Sequence, residues 1–311
     1  MANAALRTLI TGAGGQLGLA LQVTAPNSVQ VHALSRGDCD ISDKTALESV
    51  FERLQPQVVI NAAAYTAVDA AEGDIDAAFK ANAEAPAMLA ALCAQRGIRL
   101  LHVSTDFVFD GERSTPYPVD APTAPLGVYG ESKLAGEKAV LQASERFLVM
   151  RTGWVYSHRG KNFFQTMLRL HRERDQLAVV ADQVGTPTRA ESLARALWSS
   201  VERPELCGVY HLSDAGVCSW YDFAVAIGEE AQAAGLITQM AAVTPISSAE
   251  YPTDARRPAY SVLDKTASWR DLELSPLHWR EALRDTIKSA GDALSDAGND
   301  ANGAVCNDGN D

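Results

Sequence analysis

The stretch LRTLITGAGGQLGLALQV, residues 6–23, decides the fold of the chain. An apolar, strand-like run leads into glycines, and a second apolar run with helical spacing follows. Gly12, Gly15 and Gly18 form a G-x-x-G-x-x-G array between the two runs. Glycines there allow a tight turn and a close approach of a pyrophosphate to the helix N-terminus. The array predicts dinucleotide binding, with a glycine turn that holds no ligand as the alternative.

Short apolar runs alternate with helical patterns through the first half of the chain. VQVHALS (29–35) and PQVVINAAA (56–64) have the composition of buried strands, and the amphipathic run KTALESVFERLQ (44–55) lies between them. Strands that alternate with helices indicate βαβ units and a parallel sheet between two helical layers. The sequence therefore predicts an α/β fold with a Rossmann-type doubly wound parallel sheet.

The regular alternation ends near residue 155, and this divides the chain. We assign residues 1–155, with returning segments, to a dinucleotide-binding Rossmann domain. Residues 156–290 form mainly a smaller, interleaved substrate-binding lobe. Residues 291–311 are rich in Gly, Ala, Asn and Asp and have little apolar surface to bury, so we predict a disordered tail.

Composition excludes several classes of function. The 311 residues carry a formal net charge of −12, whereas nucleic-acid binding needs clustered Lys and Arg. No apolar run is long enough for a membrane span or a signal peptide. The five cysteines are odd in number and form no C-x-x-C pair, which indicates reduced thiols. We expect a cytoplasmic protein that binds neither nucleic acid nor membrane.

The end of the second predicted strand bears on the choice of cofactor. Ser35 and Arg36 stand where NAD-binding proteins often carry an acid, and an Arg there can pair with a 2′-phosphate. This favours NADPH and leaves NADH open, as it leaves open a solvated surface role for Arg36. Asp40 and Ile41 follow and are expected to flank the adenine.

VYGESKLAGEK (128–138) places Tyr129 and Lys133 four residues apart, on one face of a predicted helix. A phenol with a pKa of about 10 is a poor acid–base group at neutral pH, and a neighbouring ammonium lowers that pKa. The pair indicates a catalytic phenol, although an exposed Tyr packed on a Lys stem is common.

LLHVSTDFVF (100–109) ends a predicted strand with Ser104, Thr105 and Asp106. Ligands of doubly wound sheets bind outside the carboxyl ends of the strands, where a hydroxyl can hydrogen-bond a substrate carbonyl. A glycine loop, a strand-end Ser/Thr and a Tyr-x-x-x-Lys motif follow one another in this order along the chain. Together the three motifs are more specific than any one of them.

Several longer stretches point to one family. They are GAGGQLG, VVINAAAYTAVDAAE, HVSTDFVFDG, APLGVYGESKLAGEK, RTGWVYS, DQVGTPT and ARRP. With them the sequence resembles the extended short-chain dehydrogenase/reductases and, within these, the dTDP-4-dehydrorhamnose reductase family. The resemblance implies reduction of the 4-keto group of dTDP-4-dehydro-6-deoxy-L-mannose to dTDP-L-rhamnose with NAD(P)H, for rhamnose and cell-surface polysaccharide biosynthesis.

The resemblance also implies roles for the catalytic residues. Tyr129 would protonate the developing alkoxide, and Thr105 would donate a hydrogen bond to the same oxygen. Lys133 would lower the pKa of Tyr129 and anchor the nicotinamide ribose.

The resemblance also implies which residues bind the cofactor and which bind the substrate. The implied cofactor-binding residues are Gly12, Gly15, Gln16, Leu17, Gly18, Arg36, Asp40, Ile41, Ala62, Ala63, Ala64, Tyr65, Tyr129 and Lys133. The implied substrate-binding residues are Thr66, Val68, Asp69, Thr105, Asp106, Trp154, Asn162, Gln183 and Arg256. Trp154 would stack on the deoxysugar, Asn162 and Gln183 would face the nucleotide, and Arg256 would clamp the diphosphate. Without the resemblance, Trp154 is more readily interpreted as a core residue, and Arg256 is equally well a solvated one.

The chain departs from the family at several positions. Phe107 stands where a Tyr is frequent, and Gly153 where Ser or Ala is usual. Some members form metal-bridged dimers through clustered carboxylates. Glu191 matches one such position but Ala20 stands where another acid is expected, so we predict no metal and leave a homodimer open.

Two rival functions remain. A nucleotide-sugar epimerase would share the catalytic residues but keep its cofactor without net consumption, and a 4,6-dehydratase would need two acids after Thr105, where the chain has Asp106 and Phe107. A regulatory subunit that binds NADP without turnover could dispense with Tyr129 or Lys133, and both are present.

Overall fold

A six-stranded, fully parallel sheet forms the centre of the protein. The structure, a computed structural model, describes residues 5–303 and the side chains of residues 5–293. In chain order the strands are β1 Leu6–Thr11, β2 Val29–Leu34, β3 Val58–Asn61, β4 Arg99–Thr105, β5 Leu148–Thr152, β6 Val155–Tyr156, β7 Gln176–Val180, β8 Val184–Gly185, β9 Thr188–Arg189, β10 Gly208–His211, β11 Cys218–Ser219 and β12 Ala242–Ile246.

Helices connect most of these strands. They are α1 Gln16–Val23, α2 Lys44–Leu54, α3 Val68–Gly73, α4 Ile75–Phe79, α5 Ala85–Gln95, α6 Val128–Ala143, α7 Phe163–Glu173, α8 Ala190–Val201, α9 Trp220–Ala233, α10 Thr266–Asp271 and α11 Trp279–Gly303. A π-helical turn, Lys80–Glu84, joins α4 to α5, and short 3₁₀ turns cover Asp106–Val108 and Ser248–Glu250.

The strand order of the sheet is β10-β5-β4-β3-β1-β2. The chain leaves β1 for β2 on one side and then crosses to β3 on the other, so the order reverses next to β1. Parallel strands bring their carboxyl ends to one edge, and ligands bind at this reversal in doubly wound folds. The predicted fold class is confirmed, and the glycine loop after β1 lies at the reversal.

Two helical layers cover the sheet, as the apolar strand sequences predict. Neighbouring strand residues alternate between the layers: Leu9 faces a core cluster with α2, α5 and α6, and Ile10 faces one with α1 and α8. Helix α8 and strand β10 come from the second half of the chain. Segments beyond residue 155 therefore return to the central sheet.

A second apolar core lies in the remaining part of the chain. Tyr156, Phe164, Phe223 and Leu283 are buried together between α7, α9 and α11. The pair β7–β12 is parallel and packs against α9.

The last helix extends further than the sequence predicts. Helix α11 continues to Gly303, whereas we expected a disordered tail from residue 291. Adding residues to an existing helix needs no new nucleus, so a polar segment can follow a packed one in helical form. Residues 304–311 lie outside the described part of the chain. Over residues 5–303, none of the helices has the length and apolar character that crossing a membrane requires.

A buried ion pair fixes α6 to the sheet. Arg151 of β5 is 4% exposed and Glu137 of α6 is 2% exposed. The Arg151 Nε donates to both carboxylate oxygens of Glu137 at 3.1 Å, and Ser104 Oγ donates to Oε2 at 2.9 Å. The carboxylate is thus paired and hydrogen-bonded, as a buried charge must be.

Replacing Arg151 with Leu should leave the Glu137 carboxylate buried without its cation. We expect the free energy of unfolding to fall by about 3–5 kcal/mol. Chemical denaturation followed by circular dichroism measures it. Arg169→Leu is the control, because Arg169 is 58% exposed in its pair with Glu173, and it should change stability by less than about 0.5 kcal/mol. Equal effects of the two substitutions on stability would contradict the assignment of a buried ion pair between Arg151 and Glu137.

Candidate active site

The glycine loop after β1 has a geometry that only glycine permits. Gly12 has φ +74°, and a Cβ there would lie 2.7 Å from the backbone of Ala62 and Ala63. A Cβ on Gly18 would lie 2.2 Å from the carbonyl oxygen of Gly12. The loop therefore packs closely against the segment that follows β3, and α1 packs closely against the loop.

The N-terminus of α1 is open to a ligand. Its N-cap is Gly15, and within the described chain no side chain caps it and no acid stands in its first turn. A Cβ on Gly14 would meet no described atom within 4 Å. Unpaired backbone N–H groups and the positive end of the helix dipole fit a pyrophosphate here.

The end of β2 offers a cation at the same edge. The Arg36 side chain is 90% exposed, and its Nε lies 3.4 Å from Asp40 Oδ2. Asp38, which follows closely, accepts from the Ser35 amide at 2.9 Å, and hydrogen bonds from Ser35 lower the pKa of its carboxyl. Arg36 is thus exposed but paired with Asp40, and a contact of its guanidinium with a phosphate stays a prediction. Ile41 is buried in the α2 side of the core.

Two asparagines hold the segment Ala62–Tyr65. Asn61 accepts from Thr11 Oγ1 at 2.7 Å and from the Ala63 amide at 3.1 Å. Asn82 accepts from the Tyr65 amide at 2.8 Å and donates to the Tyr65 carbonyl at 3.0 Å. The predicted cofactor-lining segment is therefore fixed at both ends by buried amides.

Asn82 was missed by sequence reasoning. It lies in the π-helical turn Lys80–Glu84, is fully buried, and donates to Ser132 Oγ of α6 at 3.1 Å. A Cβ on Gly136 would lie 1.9 Å from the Asn82 carbonyl oxygen, so α6 approaches this turn closely. The available signal was an Asn inside an Ala-rich helical run, where Asn is unfavourable.

Tyr129 lies beside Thr105 at the carboxyl edge of the sheet. Burial raises the pKa of Tyr129 to about 12, a hydrogen bond with the Thr105 side chain lowers it, and the charge of Asp106 raises it further. The phenol therefore keeps its proton at neutral pH. The ring of Phe107 meets that of Tyr129 edge to face, with centroids 5.6 Å apart.

Lys133 does not act on Tyr129 as expected. Its Nζ donates to the Val103 carbonyl at 2.6 Å, and burial lowers its pKa to about 8, partly offset by Glu137. The expectation that Lys133 lowers the pKa of Tyr129 is corrected: burial raises that pKa instead. Spacing alone predicted the neighbouring charge but not the loss of water around both groups.

Asp106 is packed beside Thr105, one of the predicted catalytic residues. It is 2% exposed and accepts from Thr105 Oγ1 at 3.1 Å. Burial raises its pKa to about 6, against hydrogen bonds from Ser261 and Thr105. A Cβ on Gly153 would lie 2.4 Å from Asp106 Oδ2, so Gly153 leaves this carboxyl its space. Direct contact of Asp106 with a substrate stays a prediction.

Trp154 is held in a strained conformation at the entrance to the second lobe. Its φ is +51°, a region that non-glycine residues rarely adopt. The indole stacks on Trp220 with centroids 3.4 Å apart and lies against Gly185, where a Cβ would come within 2.6 Å of it. One face is thus occupied by Trp220, and stacking on a sugar stays a prediction.

Asn162 joins the two halves of the site. It is the N-cap of α7, accepting from the Gln165 amide at 2.9 Å, and its Nδ2 donates to Gln16 Oε1 at 2.7 Å. The residue predicted to face the nucleotide therefore links the glycine loop to the second lobe. Its role toward a substrate stays a prediction.

A cavity of about 460 Å³ opens beside the site. It is lined by Asp182, Gln183, Ser248, Tyr251, Pro252, Thr253, Asp254, Ala255, Arg256, Arg257 and Ala259. Gln183 donates to Ser248 Oγ at 2.9 Å, and Arg256 is exposed. Two of the predicted nucleotide-binding residues thus share one cavity.

Asp69 contacts the wall of this cavity. Arg257 forms a bidentate pair with it, at 3.0 Å to Oδ1 and 2.7 Å to Oδ2, and the Ala255 amide donates at 3.2 Å. Arg257 holds the pKa of Asp69 below its usual value. The sequence placed Asp69 near the sugar and Arg257 beside the diphosphate clamp Arg256, and it did not predict the pair between Asp69 and Arg257.

The remaining predicted positions follow from their elements. Thr66 is exposed in the loop after β3, and Val68 begins α3. Glu191 is nearly buried and accepts from Arg189 Nε at 3.1 Å. Among the described residues no three His, Cys, Asp or Glu side chains are grouped to hold a metal ion.

Known proteins share this arrangement. The chain matches the family described as RmlD substrate binding domain over residues 6–291. It is 41% identical over 286 residues to dTDP-4-dehydrorhamnose reductase of Aggregatibacter actinomycetemcomitans, covering 90% of this chain and 97% of that protein. It is 40% identical over 288 residues to spore coat polysaccharide biosynthesis protein SpsK of Bacillus subtilis (strain 168), covering 92% and 99%.

A solved structure gives the same picture. The crystal structure of dTDP-4-dehydrorhamnose reductase from Bacillus anthracis strain Ames, in complex with NADP, superposes with a TM-score of 0.87. The two sequences are 34% identical, and the match covers 92% of this chain and 99% of that one.

Two glycines of the loop give a matched test of its geometry. Gly18→Ala places a Cβ against a backbone carbonyl and should lower the free energy of unfolding by about 1–3 kcal/mol. Gly14→Ala, which meets open space, should change it by less than about 0.5 kcal/mol. Thermal and chemical denaturation of both variants compare them. A Gly18→Ala variant as stable as Gly14→Ala would mean that α1 does not pack on the loop as described.

Proposed function

The chain belongs to the RmlD substrate binding domain family, and from this premise we propose that it reduces the 4-keto group of dTDP-4-dehydro-6-deoxy-L-mannose to give dTDP-L-rhamnose. The product serves rhamnose and cell-surface polysaccharide biosynthesis. One observation carries the proposal: Tyr129 in the first turn of α6 and Thr105 at the carboxyl end of β4 lie at the edge of the sheet that also holds the glycine loop.

NADPH is the cofactor that the residues fit. The open end of α1 and the loop of Gly12, Gly15 and Gly18 suit its pyrophosphate, and Ala62 and Ala63 allow the close approach of a dinucleotide. Arg36 is exposed at the end of β2, where it suits a 2′-phosphate, so NADPH is favoured and NADH is the weaker donor. When bound, NADPH supplies the hydride.

The residues of the chain supply the proton. Tyr129, with a pKa of about 12, donates its proton to the oxygen on which charge develops. An alkoxide is a much stronger base than a phenolate, so this transfer is favourable. Thr105 forms a hydrogen bond with the Tyr129 hydroxyl and thereby orients the phenol. General acid catalysis of this kind contributes roughly 10²–10⁴-fold to the rate.

For the dTDP moiety of the substrate, the proposed cation is Arg256. Arg256 lines the cavity with Gln183, and Arg can bind a diphosphate with two parallel hydrogen bonds. Thr66, Val68 and Trp154 are proposed to contact the sugar between this cavity and Tyr129.

Two finer properties complete the proposal. Cys39, Cys93, Cys207 and Cys218 are free, which supports a reducing cytoplasmic location. A homodimer is proposed from the family resemblance alone.

The rival functions differ in what they consume. An epimerase would retain NAD tightly and show no net cofactor consumption, and a regulatory subunit would bind NADP without turnover. The presence of Tyr129, Lys133 and Thr105 together supports a catalytic role.

Replacing Tyr129 with Phe should remove the proton donor while preserving its packing against Phe107. We expect kcat to fall by about 10²–10⁴-fold, with NADPH affinity within about twofold of the original. Loss of NADPH absorbance with a panel of nucleotide 4-keto sugars measures turnover, and calorimetry measures binding. An unmodified chain that binds NADPH yet oxidises none with any sugar of the panel would refute the proposed reaction.

Replacing Asp106 with Asn should change the pH dependence of the reverse reaction. Oxidation of dTDP-L-rhamnose needs the Tyr129 phenolate, so its rate rises with pH. Ionised Asp106 raises the pKa of Tyr129, so its neutral replacement lowers that pKa and moves the profile to lower pH. The effect applies above pH about 6, where Asp106 is charged.

The control for this experiment is Glu173→Gln, which removes an exposed carboxylate on α7. Its profile should coincide with that of the unmodified enzyme. An Asp106→Asn profile that stays in place or moves to higher pH would contradict the electrostatic assignment.

A further inference from the structure

The helix that carries Tyr129 and Lys133 lacks a capping side chain of its own. The N-cap of α6 is Gly127, in extended backbone conformation, and Val128 is the first helical residue. Tyr129 stands in the first turn, where helix N–H groups have no partner within the helix. The position of the phenol therefore depends on whatever fixes this turn.

Glu72 of α3 supplies the missing cap. Its Oε1 accepts from the Val128 amide at 2.9 Å, across 56 residues of sequence. A Cβ on Gly127 would lie 2.4 Å from that oxygen, so the glycine leaves room for the carboxylate. A negative charge at a helix N-terminus also interacts favourably with the helix dipole.

The same short helix is also anchored to the candidate substrate cavity. Asp69 precedes Glu72 by three residues and therefore lies on a neighbouring part of the helix surface. Its carboxylate receives the bidentate pair from Arg257 and the amide of Ala255, both in the wall of the cavity. Helix α3 thus contacts the cavity wall through Asp69 and the first turn of α6 through Glu72.

We propose that α3 is a positioning link of the reductase: Glu72 holds the first turn of α6, and with it Tyr129, while Asp69 ties the same helix to the cavity wall. The inference rests on the proposed function. Glu72 is a positioning residue, because its carboxylate contacts a backbone amide and acts through Tyr129. Misplacing a catalytic group by about 1 Å costs on the order of 10²-fold in rate.

Three variants of the cap test the proposal. Glu72→Ala removes the acceptor and should lower kcat by about 10–100-fold, with NADPH affinity within about twofold. Glu72→Gln keeps an acceptor oxygen of the same length and should restore most of kcat. Gly127→Ala pushes the flexible carboxylate away and should reproduce the loss. Glu131→Ala, which removes an exposed acid from the same helical turn, is the matched control and should keep kcat.

Hydrogen exchange gives a readout that needs no substrate. The amide of Val128 should exchange faster in Glu72→Ala and Gly127→Ala than in the unmodified chain or Glu72→Gln, while amides in β4 stay protected. If the unmodified chain fails to reduce the dTDP sugar, the proposed function fails, yet this exchange pattern still tests the cap. Unchanged exchange at Val128 in Glu72→Ala would overturn the cap.

A double substitution tests the link through α3. Asp69→Asn weakens the pair with Arg257 and should raise KM for the dTDP sugar as well as lower kcat. If both residues act through α3, the loss of kcat in Asp69→Asn/Glu72→Ala is smaller than the product of the two single losses. Fully multiplicative losses would overturn the link. So would a Glu72→Ala variant whose kcat stays within about twofold of the original, or a loss that Glu72→Gln does not restore.

Discussion

The buried carboxylate of Glu137 holds the catalytic helix to the sheet, and the rest of the site depends on that contact. Glu137 lies one helical turn beyond Lys133, and Arg151 of β5 and Ser104 of β4 both donate to it. Because α6 is fixed against these two strands, Tyr129 is brought to the carboxyl end of β4, where Thr105 ends the strand and Asp106 follows it. A carboxylate buried in this way destabilises the fold unless each of its hydrogen-bond partners is in place. Here those partners are side chains of the sheet strands β4 and β5.

The same burial that makes this packing possible sets the chemistry of the site. Removing water from around Tyr129 raises the pKa of its phenol to about 12. Removing water from around Lys133 lowers the pKa of its ammonium group to about 8. Desolvation favours the neutral form of each group. The phenol therefore stays protonated at neutral pH, which suits an enzyme that must protonate an alkoxide. Asp106 and Thr105 shift the pKa of Tyr129 in opposite directions.

Sequence reasoning predicted the elements whose signals are local. The glycine array and the alternation of strands and helices predicted the fold, and spacing along α6 and the end of β4 predicted Tyr129, Lys133 and Thr105. Contacts between distant segments had no such signal, so those made by Asn82, Glu72 and Arg257 were missed. The direction of the Tyr129 pKa shift was wrong because an i, i+4 charge can be seen in the sequence, whereas burial of both partners cannot. Helix α11 extends past residue 291 because a packed helix, rather than local composition, determines where it continues.

The proposed reaction requires that the protonated Tyr129 hydroxyl meets the reacting oxygen of the sugar. A crystal structure of the chain with NADP⁺ and dTDP-L-rhamnose measures this most directly. We expect Tyr129 Oη to lie about 2.6–3.2 Å from the sugar O4, with Thr105 Oγ1 as a second partner of the same oxygen. A Tyr129 hydroxyl bonded elsewhere, with O4 beyond the reach of one bridging water, would contradict it.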